Sequence, residues 1–509
     1  MKNEMKPVNL SRRQLLRGLG ALGAGSAAAP WLMNLAAMAP AHAANTSGYK
    51  ALVCVFMYGG NDSYNTLLAT DTDSWAKYLA ARNSGDDPLA LPPVGALPQK
   101  GSAFNATLGG VLPITPRTAQ SGRAFALNPL LGSMRDLFNA GRLGIVANVG
   151  PMIQPTTKAQ YLANSVPLPP KLCSHNDQQA VWQSGSAEGA SMGWGGLMAD
   201  RIMSGNTNPI FTSVTTGSAA VWLVGNTARR YSLGLNGAIH IGAADNALFT
   251  SQVAQQQLTS IMRNTRESQF FEQDHAAIVG RSIDAEAILT PALPGAGAGP
   301  WGTAGLGANQ LDPLLCYRAP STGQKLLNPV AQQMQPILRM ISAHSALGMG
   351  RQIFFIGVDG CDTHDTQNTR HADIMAQLAQ AMSYWDNTTR AMGADQNVTL
   401  FTASDFGRAF PSNGSGSDHG WGGHHFVLGG AVNGGDIYGR FPMYGMSDGQ
   451  GGFASDDQLT DGQLLPALAV DQYAATLGAW MGLAPSDLKA VLPNLGNWST
   501  TDLGFMKAA

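Results

Sequence analysis

Residues 51–62 read ALVCVFMYGGND, and this stretch decides the fold class. Its first eight residues are apolar without interruption, which is typical of a strand buried on both faces of a sheet. The run then ends at Gly59, Gly60, Asn61 and Asp62, residue types that favour a tight turn. A buried strand that stops at a polar turn favours a parallel sheet, in which ligands gather at the carboxyl ends of the strands.

Apolar runs of this kind recur along the chain. They comprise Leu143–Val149, Gln352–Val358 and Val398–Ala403, with a weaker case at Phe426–Gly430. The three stronger runs end at Gly, Asp or Ser. Since buried strands usually run for about five or six residues, we interpret each of them as a further strand of the same sheet.

Amphipathic segments separate these runs. Apolar residues recur at helical spacing in Asn128–Ala140, Gln256–Ile283, Ala331–Leu347, His371–Met392 and Asp471–Met481. Strands that alternate with helices over this length predict an α/β fold. We expect a three-layer sandwich in which helices cover a mainly parallel central sheet.

Residues 1–43 have the pattern of an export signal. Ser11–Leu16 reads SRRQLL, a twin-arginine pattern, and a Gly/Ala-rich apolar segment follows it. Ala41, His42 and Ala43 form an A-x-A cleavage site. The pattern predicts passage through the twin-arginine translocase, which makes the protein periplasmic or secreted. The alternative is a basic N-terminal helix that remains attached.

We expect residues 44–509 to form a single α/β domain, with loop insertions at about 70–107 and 288–308. The chain has 31 Lys and Arg against 33 Asp and Glu, and it contains no block of basic residues. This charge pattern argues against nucleic acid and anionic membrane as partners. No segment reads as a stable membrane span, because glycine, arginine and proline interrupt the apolar part of the leader.

Two clusters of acidic residues and histidines follow apolar runs. The first reads DGCDTHD at 359–365, and the second comprises SDFGR at 404–408 and SDHGWGGHH at 417–425. Imidazole and carboxylate groups bind divalent cations, and glycine lets the backbone close around an ion. The clusters predict one metal site assembled from separate strand ends, for Zn, Mn, Ca or Mg. The alternative for the first cluster is that Asp362 or Thr363 caps a helix that starts near Asp365.

Two other motifs bear on this site. Ser174 precedes a helical pattern. Its hydroxyl is therefore interpreted either as the N-cap of that helix or as a nucleophile at the positive end of the helix. His424 and His425 are adjacent, and on an extended strand they would face opposite ways. At most one of these two histidines is then expected to be a ligand.

Together these motifs resemble the bacterial DUF1501 family. The resemblance depends on the twin-arginine leader, the strand that ends in GGND, Ser174-His175 with Trp182 and Gly185, DTH at 362–364, and SDFGR followed by DHG at 418–420. That family is thought to belong to the alkaline phosphatase-like superfamily. The superfamily's members hold one or two metals at strand ends and a nucleophile at a helix N-terminus.

The resemblance implies a role for each matching position. Ser174 resembles the helix-start nucleophile, and His175 lies beside it in the same catalytic motif. The implied metal ligands are Asp62, Asp362, His364, Asp405 and either His419 or one of His424 and His425.

One position departs from the superfamily pattern. Phe406 stands where a metal-binding histidine is expected, so a two-metal site is reduced to one metal or His419 fills the gap. The resemblance implies a periplasmic metal-dependent hydrolase of phosphate or sulfate esters, acting on small-molecule or polymer-linked substrates. Two alternatives are open: a non-catalytic exported scaffold, which Phe406 favours, and a carbohydrate-binding surface that uses Trp421 and Tyr438.

Overall fold

A computed structural model describes residues 48–100, 106–120, 122–217, 220–240, 248, 250–263, 269–303 and 311–507. The predicted leader therefore lies outside the described residues. The strands are β1 (Lys50–Met57), β2 (Leu67–Ala69), β3 (Gln99–Lys100), β4 (Thr107–Leu108), β5 (Leu112–Ile114), β6 (Phe125–Leu127), β7 (Leu143–Gly150), β8 (Ser213–Thr215), β9 (Arg230–Ser232), β10 (Cys316–Arg318), β11 (Lys325–Leu327), β12 (Arg351–Val358), β13 (Val398–Ser404), β14 (Gly423–Leu428), β15 (Ile437–Tyr438) and β16 (Leu468–Ala469).

Helices alternate with the long strands, as the periodicity predicts. They are α1 (Thr72–Arg82), α2 (Gly132–Asn139), α3 (Lys158–Leu162), α4 (His175–Ser184), α5 (Trp194–Ile202), α6 (Gln252–Arg263), α7 (Phe270–Ala292), α8 (Pro329–Ser342), α9 (Gln367–Ala391), α10 (Val470–Met481) and α11 (Pro485–Val491).

The apolar runs form the middle of one large, mostly parallel sheet. Its strand order is β15-β7-β14-β13-β1-β12-β8-β9, with β16 also paired to β7. On β1, Val53 lies opposite Phe354 of β12 and Leu400 of β13, and both pairings are parallel. Strand β14 is antiparallel to both β13 and β7. The carboxyl ends of β1, β12 and β13 therefore meet at one edge of the sheet.

Both faces of the central strand are buried. Val53 and Val55 enter one hydrophobic cluster, together with apolar residues of α2, α8 and α9. Cys54 and Phe56 enter a second cluster, with residues of α4, α5, α10 and α11. Because successive side chains of a strand point to opposite faces, an uninterrupted apolar run supplies both clusters. The prediction of a mixed α/β fold with a large, mostly parallel sheet is confirmed.

The structure differs from the predicted elements in three segments, one of which is the predicted insertion at about 288–308, whose first residues belong to helix α7. The long helix predicted at Gln256–Ile283 is represented by α6 and α7, and residues 264–268 between them are outside the described part. The predicted loop insertion at about 70–107 contains helix α1, which Asp71 caps by accepting a hydrogen bond from the Ser74 backbone N–H. In the part of the chain that the structure describes, no helix combines the length and hydrophobicity that a membrane span needs.

Candidate active site at the carboxyl edge of the sheet

A tight glycine turn opens the edge of the sheet directly after β1. Gly59 and Gly60 have φ angles of +106° and +84°, a conformation that residues with a Cβ rarely adopt. A Cβ on Gly59 would also overlap the backbone of Asp362, and a Cβ on Gly60 would overlap the ring of Phe406. The two glycines therefore allow the segments that follow β12 and β13 to approach the end of β1.

Three side chains from separate segments converge at this edge. Potential ligand atoms of His175, Asp362 and His419 all lie within 4.8 Å of one another. The Asp362 carboxylate is 3.5 Å from His175 Nε2 and 3.4 Å from His419 Nε2. It also lies 3.2 Å from His364 Nε2. We call these four residues the His/Asp group.

The outer nitrogens of two imidazoles are held by acceptors. His419 Nδ1 lies 2.7 Å from the carbonyl oxygen of Cys173, and His175 Nδ1 lies 2.8 Å from Asp405 Oδ2. A carbonyl or carboxylate oxygen only accepts, so each Nδ1 carries a proton, and in the neutral form of the imidazole its Nε2 is left with a lone pair that can bind a cation. Outer hydrogen bonds of this kind orient histidine ligands in metal sites.

His364 has the same arrangement. Its Nδ1 lies 3.1 Å from the Asp418 carboxylate, and its Nε2 lies 2.8 Å from Nε2 of His419. This separation is that of an N–H···N hydrogen bond, so one of the two Nε2 atoms carries a proton unless a cation takes its place. The donor set of the His/Asp group therefore fits a bound divalent cation, with nitrogen and carboxylate ligands that suit zinc or other transition metals.

The surroundings of the group lower the pKa of its carboxylate and shift the pKa values of two of its imidazoles in opposite directions. Partial burial alone would raise the pKa of Asp362, but the positive charge of Arg408 outweighs it and holds the pKa below its usual value. The hydrogen bond to Asp405 raises the pKa of His175. Burial lowers the pKa of His419 and keeps this imidazole neutral. A deprotonated carboxylate and a neutral imidazole are both ready for metal binding.

Phe406, the departure from the superfamily pattern, packs against the imidazoles. Its ring centroid is 4.9 Å from that of His175 and 4.7 Å from that of His419. Phe406 is buried, and the ring occupies the space that the absent Cβ of Gly60 leaves. An apolar ring here supports the imidazoles and adds no ligand.

Asp405 supports the group from behind and is completely buried. Its Oδ2 accepts hydrogen bonds from the Gly59 backbone N–H at 3.1 Å and from Gln179 Nε2 at 2.8 Å, besides that from His175. The structure thus brings this predicted ligand to the site as the partner of a histidine.

Asp62 does not join the His/Asp group. Its carboxylate forms a completely buried ion pair with Arg82 and also accepts from Gln367 Nε2 and the Tyr64 backbone N–H. Burial alone would raise the pKa of Asp62, but Arg82 holds it below its usual value. With both oxygens engaged by these donors, Asp62 acts as a structural carboxylate in this arrangement.

Gln367 connects that ion pair to the loops of the site. Its Oε1 accepts hydrogen bonds from the hydroxyls of Thr363, at 3.1 Å, and Ser417, at 2.6 Å. Thr363 lies between Asp362 and His364, and Ser417 immediately precedes Asp418. Gln367 is buried at the start of α9 and so fixes two loops that carry members of the His/Asp group.

His424 and His425 lie on strand β14 and face opposite sides of it, as their adjacency predicts. The His424 ring stacks on Phe441, and its Nδ1 accepts from the Asn148 backbone N–H. The His425 ring packs against Trp182. Burial lowers the pKa of each imidazole to about 3. Of the alternatives for the final histidine, the structure brings His419 to the group.

Ser174 occupies the N-cap position of α4, but its hydroxyl accepts no hydrogen bond from the helix N–H groups. Its hydroxyl donates to Asp177 Oδ2 at 2.8 Å, within the first turn of the same helix. The nucleophilic role of Ser174 stays a prediction.

At the first cluster, α9 begins at Gln367 with Thr366 as its N-cap, so neither Asp362 nor Thr363 caps it. Trp421 is buried, so it cannot contribute to the carbohydrate-binding surface that was one of the alternatives.

Sequence reasoning gave no role to several residues that build the site. Asp418 and Arg408 lie in the quoted motifs, and their proximity to acidic and imidazole residues was the only signal. Arg82, Gln179 and Gln367 lie inside helices, and nothing in their local sequence points to the site.

The geometry defines a class: a mixed α/β protein with a large, mostly parallel sheet and a His/Asp group at its carboxyl edge. The family model described as "Protein of unknown function (DUF1501)" matches residues 49–492, and the chain belongs to that family. A search of curated proteins finds no match to the sequence.

Proposed function

We propose that this protein is an exported, metal-dependent hydrolase of phosphate or sulfate esters. The observation that carries the proposal is the convergence of three imidazole Nε2 atoms on Asp362, each imidazole being oriented through its Nδ1. The His/Asp group lies at the carboxyl ends of parallel strands, which is where α/β proteins bind ligands. The same location supports the finer assignment to the alkaline phosphatase-like superfamily.

His175, Asp362, His364 and His419 would hold the cation, which would supply Lewis-acid polarisation of the ester oxygens. Asp405, Asp418 and the Cys173 carbonyl keep the three Nδ1–H groups donating outward. Arg408 donates to Asp362 at 3.0 Å and keeps that carboxylate ionised. Ser174 or water would serve as the nucleophile.

The test is elemental analysis of protein purified from the periplasm, with ester hydrolysis measured on the same samples. We expect one or two equivalents of a divalent metal, lost in Asp362→Ala and His364→Ala. Full metal stoichiometry in both variants would remove the assignment. His275→Ala is the matched control, because this exposed histidine lies on α7 outside the group.

Loss of Asp362 also removes a partner of buried Arg408, so a misfolded variant would be uninformative. Asp418→Asn avoids this difficulty, since Asp418 is exposed and its carboxylate contacts His364 and the Asn413 amide without touching Arg408. We expect its metal affinity to fall about 10- to 100-fold, as for other outer hydrogen-bond partners of histidine ligands. An unchanged affinity in a chelator competition would contradict the predicted orienting role.

The export part of the proposal rests on the leader at residues 1–43. Replacement of Arg12 and Arg13 by lysine should leave precursor in the cytoplasm, and normal export of that variant would contradict twin-arginine transport.

The second candidate function is a non-catalytic exported scaffold, which Phe406 favours because it offers no ligand. Protein that contains no metal and hydrolyses no ester in a substrate panel would support the scaffold.

A further inference from the structure

A cleft of about 540 Å³ opens beside helix α4, whose first residue is His175 of the His/Asp group. Tyr58, which follows β1, and Asp359, which follows β12, line one side of it. Asn176 and Gln179 of helix α4 line the other side. The cleft therefore lies at the carboxyl ends of two adjacent parallel strands, and its volume is in the range of small-molecule sites.

One side chain belongs to both the cleft and the site. Gln179 lines the cleft and lies one helical turn after His175. Its Nε2 donates to Asp405 Oδ2, the oxygen that also accepts from His175 Nδ1. Hydrogen bonds through Gln179 and Asp405 therefore connect the wall of the cleft to His175 of the His/Asp group.

The lining offers hydrogen-bond donors and acceptors with no positive charge. Asn176, Gln179 and Gln183 supply amides, and Glu188 and Asp359 supply carboxylates. Gln183 Oε1 accepts from the Trp222 backbone N–H, which leaves its amide nitrogen to donate. Among the described residues no lysine or arginine lines this cleft.

We propose that the cleft binds the alcohol portion of the ester and that this alcohol is a neutral, hydroxyl-rich carbohydrate; the inference rests on the proposed function above. The two carboxylates repel a polyanionic substrate. A cationic amino alcohol such as choline could use those carboxylates, but apart from its esterified oxygen it has no acceptor for the amide N–H donors. Sugar hydroxyls both donate and accept, so they match the amides and the carboxylates together.

The experiment measures sugar binding separately from hydrolysis. Saturation-transfer NMR with a panel of methyl glycosides should detect binding to the mature protein. Asn176→Ala and Glu188→Ala should each weaken it by about 10-fold, the effect of one lost hydrogen bond at the upper end of the usual range. Ser186→Ala is the matched control, because this exposed residue follows α4 and does not line the cleft.

The outcomes separate this inference from the proposed function. Binding of choline with no binding of any glycoside would overturn the carbohydrate assignment. Turnover of sugar phosphates no better than phosphocholine, in protein that contains metal, would overturn it while leaving the hydrolase intact. Glycoside binding that the two variants abolish, in protein without metal or ester hydrolysis, would support the cleft and remove the hydrolase.

Discussion

Asp62 and Asp362 follow adjacent parallel strands of the same sheet, yet their surroundings are opposite. Asp62 is completely buried against Arg82, whereas the Asp362 side chain is 44% exposed and lies among three imidazoles. Arg82 donates to both oxygens of Asp62 inside the core. Arg408 donates to Oδ1 of Asp362 alone, so this exposed carboxylate keeps lone pairs for a cation. The number of donors and the burial, and not the position of the aspartate after a strand, distinguish the structural carboxylate from the candidate ligand.

The largest expected effect tests the structural half of this comparison. Arg82→Met leaves the buried Asp62 carboxylate without its cation, so the free energy of unfolding should fall by about 3–5 kcal/mol in urea denaturation. Arg135→Met removes a surface ion pair with Asp136 and should change it by less than about 1 kcal/mol. Equal losses of unfolding free energy in the two variants would show that burial does not make the Asp62–Arg82 pair more important to stability than a surface ion pair.

The next effect concerns histidines inside the core. The pKa of His425 is lowered to about 3 by burial, whereas an unfolded histidine titrates near 6.5. The unfolded state therefore binds more protons below about pH 6.5, and stability falls as the pH falls toward 3. His425→Gln should reduce this slope by up to about 1.4 kcal/mol per pH unit.

Urea unfolding of chelator-treated protein at pH 7.5, 6 and 5 measures that slope without metal linkage. His275→Ala, at an exposed histidine of α7, is the control variant. An unchanged slope in His425→Gln would show that this imidazole is not held neutral in the fold.

The smallest effect tests the binding half of the comparison. The His364 side chain is 45% exposed, and its partner Asp418 is 62% exposed. His364→Ala should therefore change the free energy of unfolding of the metal-free protein by less than about 1 kcal/mol. A loss of several kcal/mol, measured with the chelator present, would mean that His364 has a structural role like that of Asp62.

The middle of the sheet was predictable from sequence because β1, β12 and β13 come from long, mainly apolar runs. Asp362, His364, Asp405 and His419 were recognisable because each lies in a polar segment after such a run. The burial of Asp62 was not predictable, since its partner Arg82 lies on a helix within a segment of loop-like composition. His424 was misleading for a related reason, because the glycines before it resemble a loop and the segment is strand β14.

The hydrogen bond from His419 to the Cys173 carbonyl joins residues 246 positions apart in the chain. A cation bound to the His/Asp group would cross-link segments that meet only when the sheet is complete. Binding of that ion would thus stabilise the complete fold and not partly folded fragments, since the unfolded chain has no preformed set of ligands. Metal acquisition and the last steps of folding would then be a single event, completed on whichever side of the membrane the chain folds.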